Sequence, residues 1–208
     1  MDAEALIFDM DGTLWDSSGT VAESWNETLK RYPEAKEPLT PQLLQSLMGR
    51  TLPDIADRLF PDIEPERRSE MLNACCAEEN AFVQEKGGRL YDGLEKTLQV
   101  LREKGMRLFI VSNSQDGYIQ AFLAHYGFGR YFEDFECAGR TGRSKGENIQ
   151  EIMQRNHLCS AYYVGDTQID YEATRKACIP FIHAEYGFGR VERCEYRIGA
   201  FTELAEMF

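Results

Sequence analysis

Residues 6–18 read L-I-F-D-M-D-G-T-L-W-D-S-S, and the reading of this stretch decides the fold. An unbroken apolar run over 5–8 leads straight into Asp9 and Asp11, one residue apart, and then into Gly-Thr. A short apolar run without alternation suits a strand covered on both faces, as in a parallel sheet. Two neighbouring carboxylates repel each other, so a structural role for the pair is costly. Chemistry at the carboxyl end of a strand explains them better, because ligands of open α/β sheets bind there. If the period of two persists past the strand, Asp9 and Asp11 face the same way.

Similar runs recur at 107–111, 134–138, 161–164 and 179–183, with a weaker one at 196–198. Helical patterns fill the spaces between them. Residues 93–104 place Leu94, Thr97, Leu98 and Leu101 on one face, with Gly105 as terminator; 115–126 is closed by Gly127; 146–156 and 169–177 follow. This alternation predicts an α/β fold with a doubly wound, mostly parallel Rossmann-like sheet. No strand-like run interrupts residues 16–88. They read as helices at 19–31, 41–47, 52–59 and 65–85, punctuated by prolines 33, 38, 41, 53, 61 and 65. We expect an inserted all-helical cap domain over 16–88, on a core of 1–15 and 89–208, with Gly87-Gly88 as the return hinge.

The 208 residues carry 23 basic and 35 acidic side chains, a net charge of −12. That balance disfavours nucleic acid and anionic membrane as partners, since both require basic patches. No stretch approaches the roughly 18 apolar residues of a membrane span, and no signal-peptide pattern opens the chain, so a cytoplasmic protein is expected. The six cysteines show no C-x-x-C spacing, and His125, His157 and His183 lie far apart. Reduced thiols are therefore expected, without zinc. Asn26-Glu27-Thr28 reads as a chance sequon. Tyr-Gly-Phe-Gly-Arg occurs at 126–130 and 186–190 and reads as two similar turns, not as a duplication.

Each strand delivers acids or hydroxyls at its carboxyl end: Asp9 and Asp11, then Ser112 and Asn113, then Asp166, with Asp170 one helical turn later. If these strands are neighbours, the side chains converge. Several carboxylates in one pocket require a cation, and an all-oxygen set selects a hard metal such as Mg²⁺. For Asp170 alone, a helix N-cap is an equal alternative. Lys145, between Ser144 and Gly146 and just ahead of a helix, is the candidate to meet substrate charge.

Asp9-x-Asp11-Gly-Thr-Leu, Ser112-Asn113, Lys145-Gly146 and Gly165-Asp166-x-x-x-Asp170 occur in this order over residues 9–170. Together they resemble the four motifs of the haloacid dehalogenase superfamily of phosphohydrolases. The helical insertion after the first motif, with Tyr91-Asp92-Gly93, resembles the phosphoglycolate phosphatase-like branch with an α-helical cap. One departure is that Gly146 follows Lys145, where that branch commonly has proline. The resemblance implies that Asp9 is the nucleophile that becomes an aspartyl phosphate, and that Asp11 is the general acid and base. It further implies Mg²⁺ held by Asp9, the Asp11 backbone carbonyl and Asp166, with Asp170 in support. Ser112 and the Asn113 backbone N–H would bind a phosphoryl oxygen, and Lys145 would neutralise charge.

The expected substrate is a small phosphorylated metabolite, handled by a monomer or homodimer. Arg50, in Met48-Gly49-Arg50-Thr51 between two helices of the insertion, is a candidate substrate contact. Trp15 and Trp25 are expected to pack. A sugar-phosphate mutase of the same fold, similar to beta-phosphoglucomutase, is the alternative enzyme reading. A phospho-aspartate signalling module or a catalytically silent binding module is the alternative from other classes. Dehalogenase chemistry is disfavoured by the second acid, Asp11.

Overall fold

The computed structural model describes residues 3–208. In chain order it comprises β1 (Ala5–Phe8), β2 (Trp15–Asp16), α1 (Ser18–Leu29), α2 (Pro41–Gln45), α3 (Leu52–Leu59), α4 (Pro65–Lys86), β3 (Arg89–Leu90) and α5 (Leu94–Glu103). There follow β4 (Arg107–Ser112), α6 (Tyr118–Tyr126), β5 (Asp134–Cys137), α7 (Ala138–Thr141) and α8 (Lys145–Arg155). The chain ends with β6 (Ala161–Gly165), α9 (Gln168–Ala177), β7 (Phe181–Ala184), β8 (Tyr196–Ile198) and α10 (Leu204–Met207).

Six strands form one sheet in the order β5-β4-β1-β6-β7-β8, and every neighbouring pair is parallel. Counted along the sheet's own strands this is the doubly wound order, with its switch point at β1. The apolar runs lack alternation because both faces are covered. Leu6, Phe8, Leu108 and Ile110 pack in one hydrophobic cluster, while Ala5, Ile7, Phe109 and Val111 pack in another. The register puts Phe8 opposite Ile110 on one side and Val164 on the other. Asp9, Ser112 and Asp166 therefore emerge at the same edge.

The expected helices all form, with ends shifted by a few residues. α6 starts at Tyr118 because Gly117 adopts a left-handed φ of 92°. Not legible were the short helices α7 and α10, and a two-stranded ribbon in which β2 and β3 pair antiparallel, Trp15 opposite Leu90 and Asp16 opposite Arg89. The ribbon carries the chain into and out of the helical segment α1–α4. Within that segment α1 packs on α4, and α4 packs in turn on α6 beside the sheet.

Gly87-Gly88, read from sequence as a return hinge, is a packed crossing. A Cβ on Gly88 would stand 2.9 Å from the Asp16 carbonyl oxygen. Gly88 N–H donates to the Tyr126 hydroxyl at 2.9 Å, and that hydroxyl donates to the Gly88 carbonyl at 2.6 Å. The repeated pentapeptide takes two unrelated shapes. Residues 126–130 cap α6 and turn into a short 3₁₀ segment, whereas 186–190 form an irregular loop after β7.

Candidate active site

Asp9, Asp166 and Asp170 each offer a carboxylate oxygen within 4.8 Å of the others, and all three are buried. Lys145 answers two of them, donating from Nζ to Asp9 Oδ1 at 2.8 Å and to Asp170 Oδ1 at 2.6 Å. Lys145 is the first residue of α8, whose start is fixed by a capping box between Ser144 and Glu147. Asp170 does two jobs at once. Its Oδ2 accepts from Thr167 N–H at 3.0 Å and from the Thr167 hydroxyl at 2.6 Å, closing the capping box of α9, while Oδ1 faces the lysine. Thr167 is thus the N-cap of α9 and Asp170 its N3 acid, which at the same time faces Lys145.

Asp166 is held by a segment that sequence reading treated only as a turn. Its Oδ2 accepts from Phe188 N–H at 2.8 Å and Gly189 N–H at 3.1 Å. That approach demands glycines: a Cβ on Gly187 would lie 2.3 Å from Asp166 Cβ, and one on Gly12 would lie 2.3 Å from Asp166 Oδ2. The signal was the G-x-G of the second pentapeptide, whose small residues permit backbone to close on a carboxylate. Asp166 Oδ1, by contrast, is buried with no hydrogen-bond partner.

Asp11 leaves this cluster. β1 ends at Phe8, and Met10 and Asp11 enter a turn in which Met10 C=O accepts from Thr13 and Leu14 N–H at 3.1 and 2.8 Å. Asp11 Oδ1 accepts from the Ser17 hydroxyl at 2.6 Å, and the Tyr118 hydroxyl lies 2.9 Å from that oxygen and 2.8 Å from Ser17 Oγ. Both aspartates line one cavity. The turn brings them together, since the strand's alternation stops before Asp9.

The cavity, of about 60 Å³, lies between the carboxyl edge of the sheet and the helical segment. Ser112, Asn113 and Arg50 border it, and so do Trp25 and Glu79. Asn113 Nδ2 donates to the Gly49 carbonyl at 2.9 Å, tying the β4 loop to the loop that bears Arg50. Trp15 packs in the core as expected, against Phe122 at 4.9 Å between ring centroids. Trp25 packs as well, buried in the same hydrophobic cluster, and it also borders the cavity.

Burial dominates the electrostatics. It raises Asp9 well above the usual carboxylate range, reinforced by Asp170 and opposed by Lys145. It lifts Asp166 to about 7, with Asp170 adding to the rise and the two amides opposing it. Asp11 is pushed up to about 6 by burial, against the hydrogen bonds from Ser17 and Tyr118. Burial works against the charge of Lys145, yet Asp170 and Asp9 more than offset it and hold the ammonium protonated. Three carboxyl groups face one ammonium, so ionising all of them would leave a deficit of positive charge. The unpartnered oxygen of Asp166 and the all-oxygen donor set fit a hard divalent cation.

A family model described as haloacid dehalogenase-like hydrolase matches residues 6–184. A phosphoglycolate phosphatase from Rhodobacter capsulatus is 28% identical over 193 residues, covering 89% of this chain and 86% of its own length. Another, from Nitrosospira multiformis, is 27% identical over 202 residues, covering 88% and 85%. Among solved structures, a haloacid dehalogenase-like family hydrolase from Streptococcus pneumoniae superimposes with a TM-score of 0.85 at 20% identity, over 99% of this chain and 98% of that one. CbbY from Rhodobacter sphaeroides, solved in complex with phosphate, gives 0.81 at 18% identity over 98% and 96%. Sheet order, the side chains at its carboxyl edge and the span of the family match agree: the chain belongs to the haloacid dehalogenase-like hydrolases.

Proposed function

We propose that the protein hydrolyses a small phosphomonoester, with Mg²⁺, through an aspartyl phosphate on Asp9. The observation that carries this reading is the position of Asp9. It belongs to the acidic cluster with Asp166 and Asp170, and it alone of the three borders the cavity. Curated relatives named phosphoglycolate phosphatases, matched over most of both chains, support a phosphatase of that branch.

A carboxylate oxygen of Asp9 attacks phosphorus, and the bond from phosphorus to the ester oxygen breaks. Asp11 gives its proton to that leaving oxygen. In the second half, ionised Asp11 takes a proton from water, whose oxygen attacks the phosphorus on Asp9; inorganic phosphate leaves and the Asp9 carboxylate is restored. Lys145 keeps Asp9 oriented and offsets charge on the transferring group. Ser112 and the Asn113 N–H bind a phosphoryl oxygen. Asp9, the Asp11 carbonyl and Asp166 would hold Mg²⁺, with Asp170 behind them, and the ion supplies charge neutralisation for the phosphoryl oxygens. The helices α1–α4 act as the cap over residues 16–88, and Arg50 reaches toward the substrate from its loop.

The six cysteines are free thiols, which fits a reducing cytoplasm. Among the described residues no helix is long and apolar enough to cross a membrane.

Phosphate release from p-nitrophenyl phosphate tests the reading: Mg²⁺-dependent turnover abolished by EDTA is expected, and turnover indifferent to EDTA would refute it. A pH profile tests the role of Asp11. The acid form must donate, so the limb governed by Asp11 falls as pH rises through about 6. The hydrogen bond from the Tyr118 hydroxyl lowers the pKa of Asp11, so Tyr118→Phe should move that limb to higher pH. An unshifted profile would remove Asp11 from proton transfer.

A further inference from the structure

Glu79 is a buried acid that the proposed mechanism does not use. It lies on α4, 4% exposed, on a helix whose other buried side chains are Met71, Leu72, Cys75, Cys76 and Val83. Its Oε2 accepts from the Trp25 indole N–H, and the Gln115 side chain also hydrogen-bonds to it. A carboxylate has about four lone-pair positions, and these two donors leave acceptor capacity on a side chain that borders the cavity.

An acid on an apolar stripe is costly to bury. As a partner for one indole N–H it is a poor solution, because a neutral acceptor would serve at less cost. Neither partner is a cation. Burial lifts Glu79 to about 7, and the one charged side chain among the causes is the acid Asp11, which lifts it further. The rest of the insertion's wall here is mainly apolar, formed by Val21, Leu44, Leu47 and Leu52, with Arg50 as the other charged side chain on it. A leaving group bound to phosphorus at Asp9 would extend from Asp11 into this space.

We propose that Glu79 is a specificity-determining residue that accepts a hydrogen bond from the leaving group, so that the favoured substrates are short phosphomonoesters ending in a hydroxyl or ammonium donor and not in a carboxylate. This rests on the phosphatase reading above. A leaving group such as glycolate would bring a carboxylate toward Glu79 and Asp11, whereas a donor would fill the open acceptor positions. Rejection by a site built for hydrogen bonding exceeds what apolar contact alone achieves. The chain would thus differ in substrate choice from relatives that share its catalytic edge.

The test compares kcat/KM of the full chain, with Mg²⁺, for phosphoglycolate, glycerol 3-phosphate and phosphoethanolamine. The better donor-bearing ester should exceed phosphoglycolate by at least roughly tenfold. Glu79→Gln removes the charge at nearly constant volume and should shrink that ratio by about tenfold, chiefly through a gain on phosphoglycolate. Should Glu79→Gln fail to fold, Glu79→Asp withdraws the carboxylate by one methylene and should lower kcat/KM for the donor-bearing esters more than for phosphoglycolate. A wild-type preference for phosphoglycolate, or a variant that changes only Tm and leaves the ratio intact, overturns the proposal and leaves Glu79 as the acceptor for Trp25. Absence of Mg²⁺-dependent release from every ester, p-nitrophenyl phosphate included, would instead refute the phosphatase reading itself.

Discussion

Asp9→Asn is expected to lower phosphate release by at least about 10⁴-fold at saturating Mg²⁺, because no other side chain can replace an attacking nucleophile. The fold should survive. Burial holds the Asp9 pKa well above its ordinary value, so the folded state binds its proton more tightly than the unfolded chain does. Stability from this site therefore falls as pH rises past the unfolded value. A neutral amide removes that burden, and Lys145 keeps Asp170 as a partner at 2.6 Å. At pH 8 without metal, Tm of Asp9→Asn should equal or exceed that of the wild type. Lost activity with a large drop in Tm would mean that Asp9 is structural.

Lys145→Met gives the second large effect, with the opposite signature in stability. Lys145 is 3% exposed, and its ammonium is the shared partner of Asp9 and Asp170. Removing one member of a buried ionic set leaves uncompensated charge and costs about 3–5 kcal/mol. Activity should fall by roughly 10²–10³-fold, the scale of losing one preorganised charge-stabilising group. Without the ammonium, which lowers both, Asp9 and Asp166 will rise further in pKa. The stability deficit should therefore be largest at pH 8 and shrink toward pH 5, where they protonate. Mg²⁺ should also restore more Tm to this variant than to the wild type. A deficit independent of both pH and Mg²⁺ would place the lysine outside the acidic cluster.

Much of this site was legible because the fold converts strand ends into neighbours. The apolar runs identified β1, β4 and β6, and parallel register then brings Asp9, Ser112 and Asp166 to one edge. Lys145 and Asp170 were legible for the same reason, as residues at the starts of helices that follow strands. What sequence reading missed depends on tertiary approach. The amides of Phe188 and Gly189 reach Asp166 only because the loop after β7 folds back over β6. The partners of Asp11 come from Ser17 and from Tyr118, far along the chain. Glu79 looked like one of many acids on a long polar helix; its burial follows from the packing of α4 against α1 and α6. The short ribbon of β2 and β3 has too few residues to show a period.

Trapping the phosphoenzyme is the most direct measurement. Asp11→Asn cannot activate water for the second half-reaction, so the intermediate should accumulate when the variant is mixed with Mg²⁺ and p-nitrophenyl phosphate, whose leaving group departs without a proton from Asp11. After acid quenching and digestion, mass spectrometry should find one phosphoryl group on the peptide that contains Asp9, absent from the Asp9→Asn/Asp11→Asn double variant. A phosphoryl group on any other residue, or none at all from p-nitrophenyl phosphate that the wild type hydrolyses, would contradict covalent catalysis by Asp9.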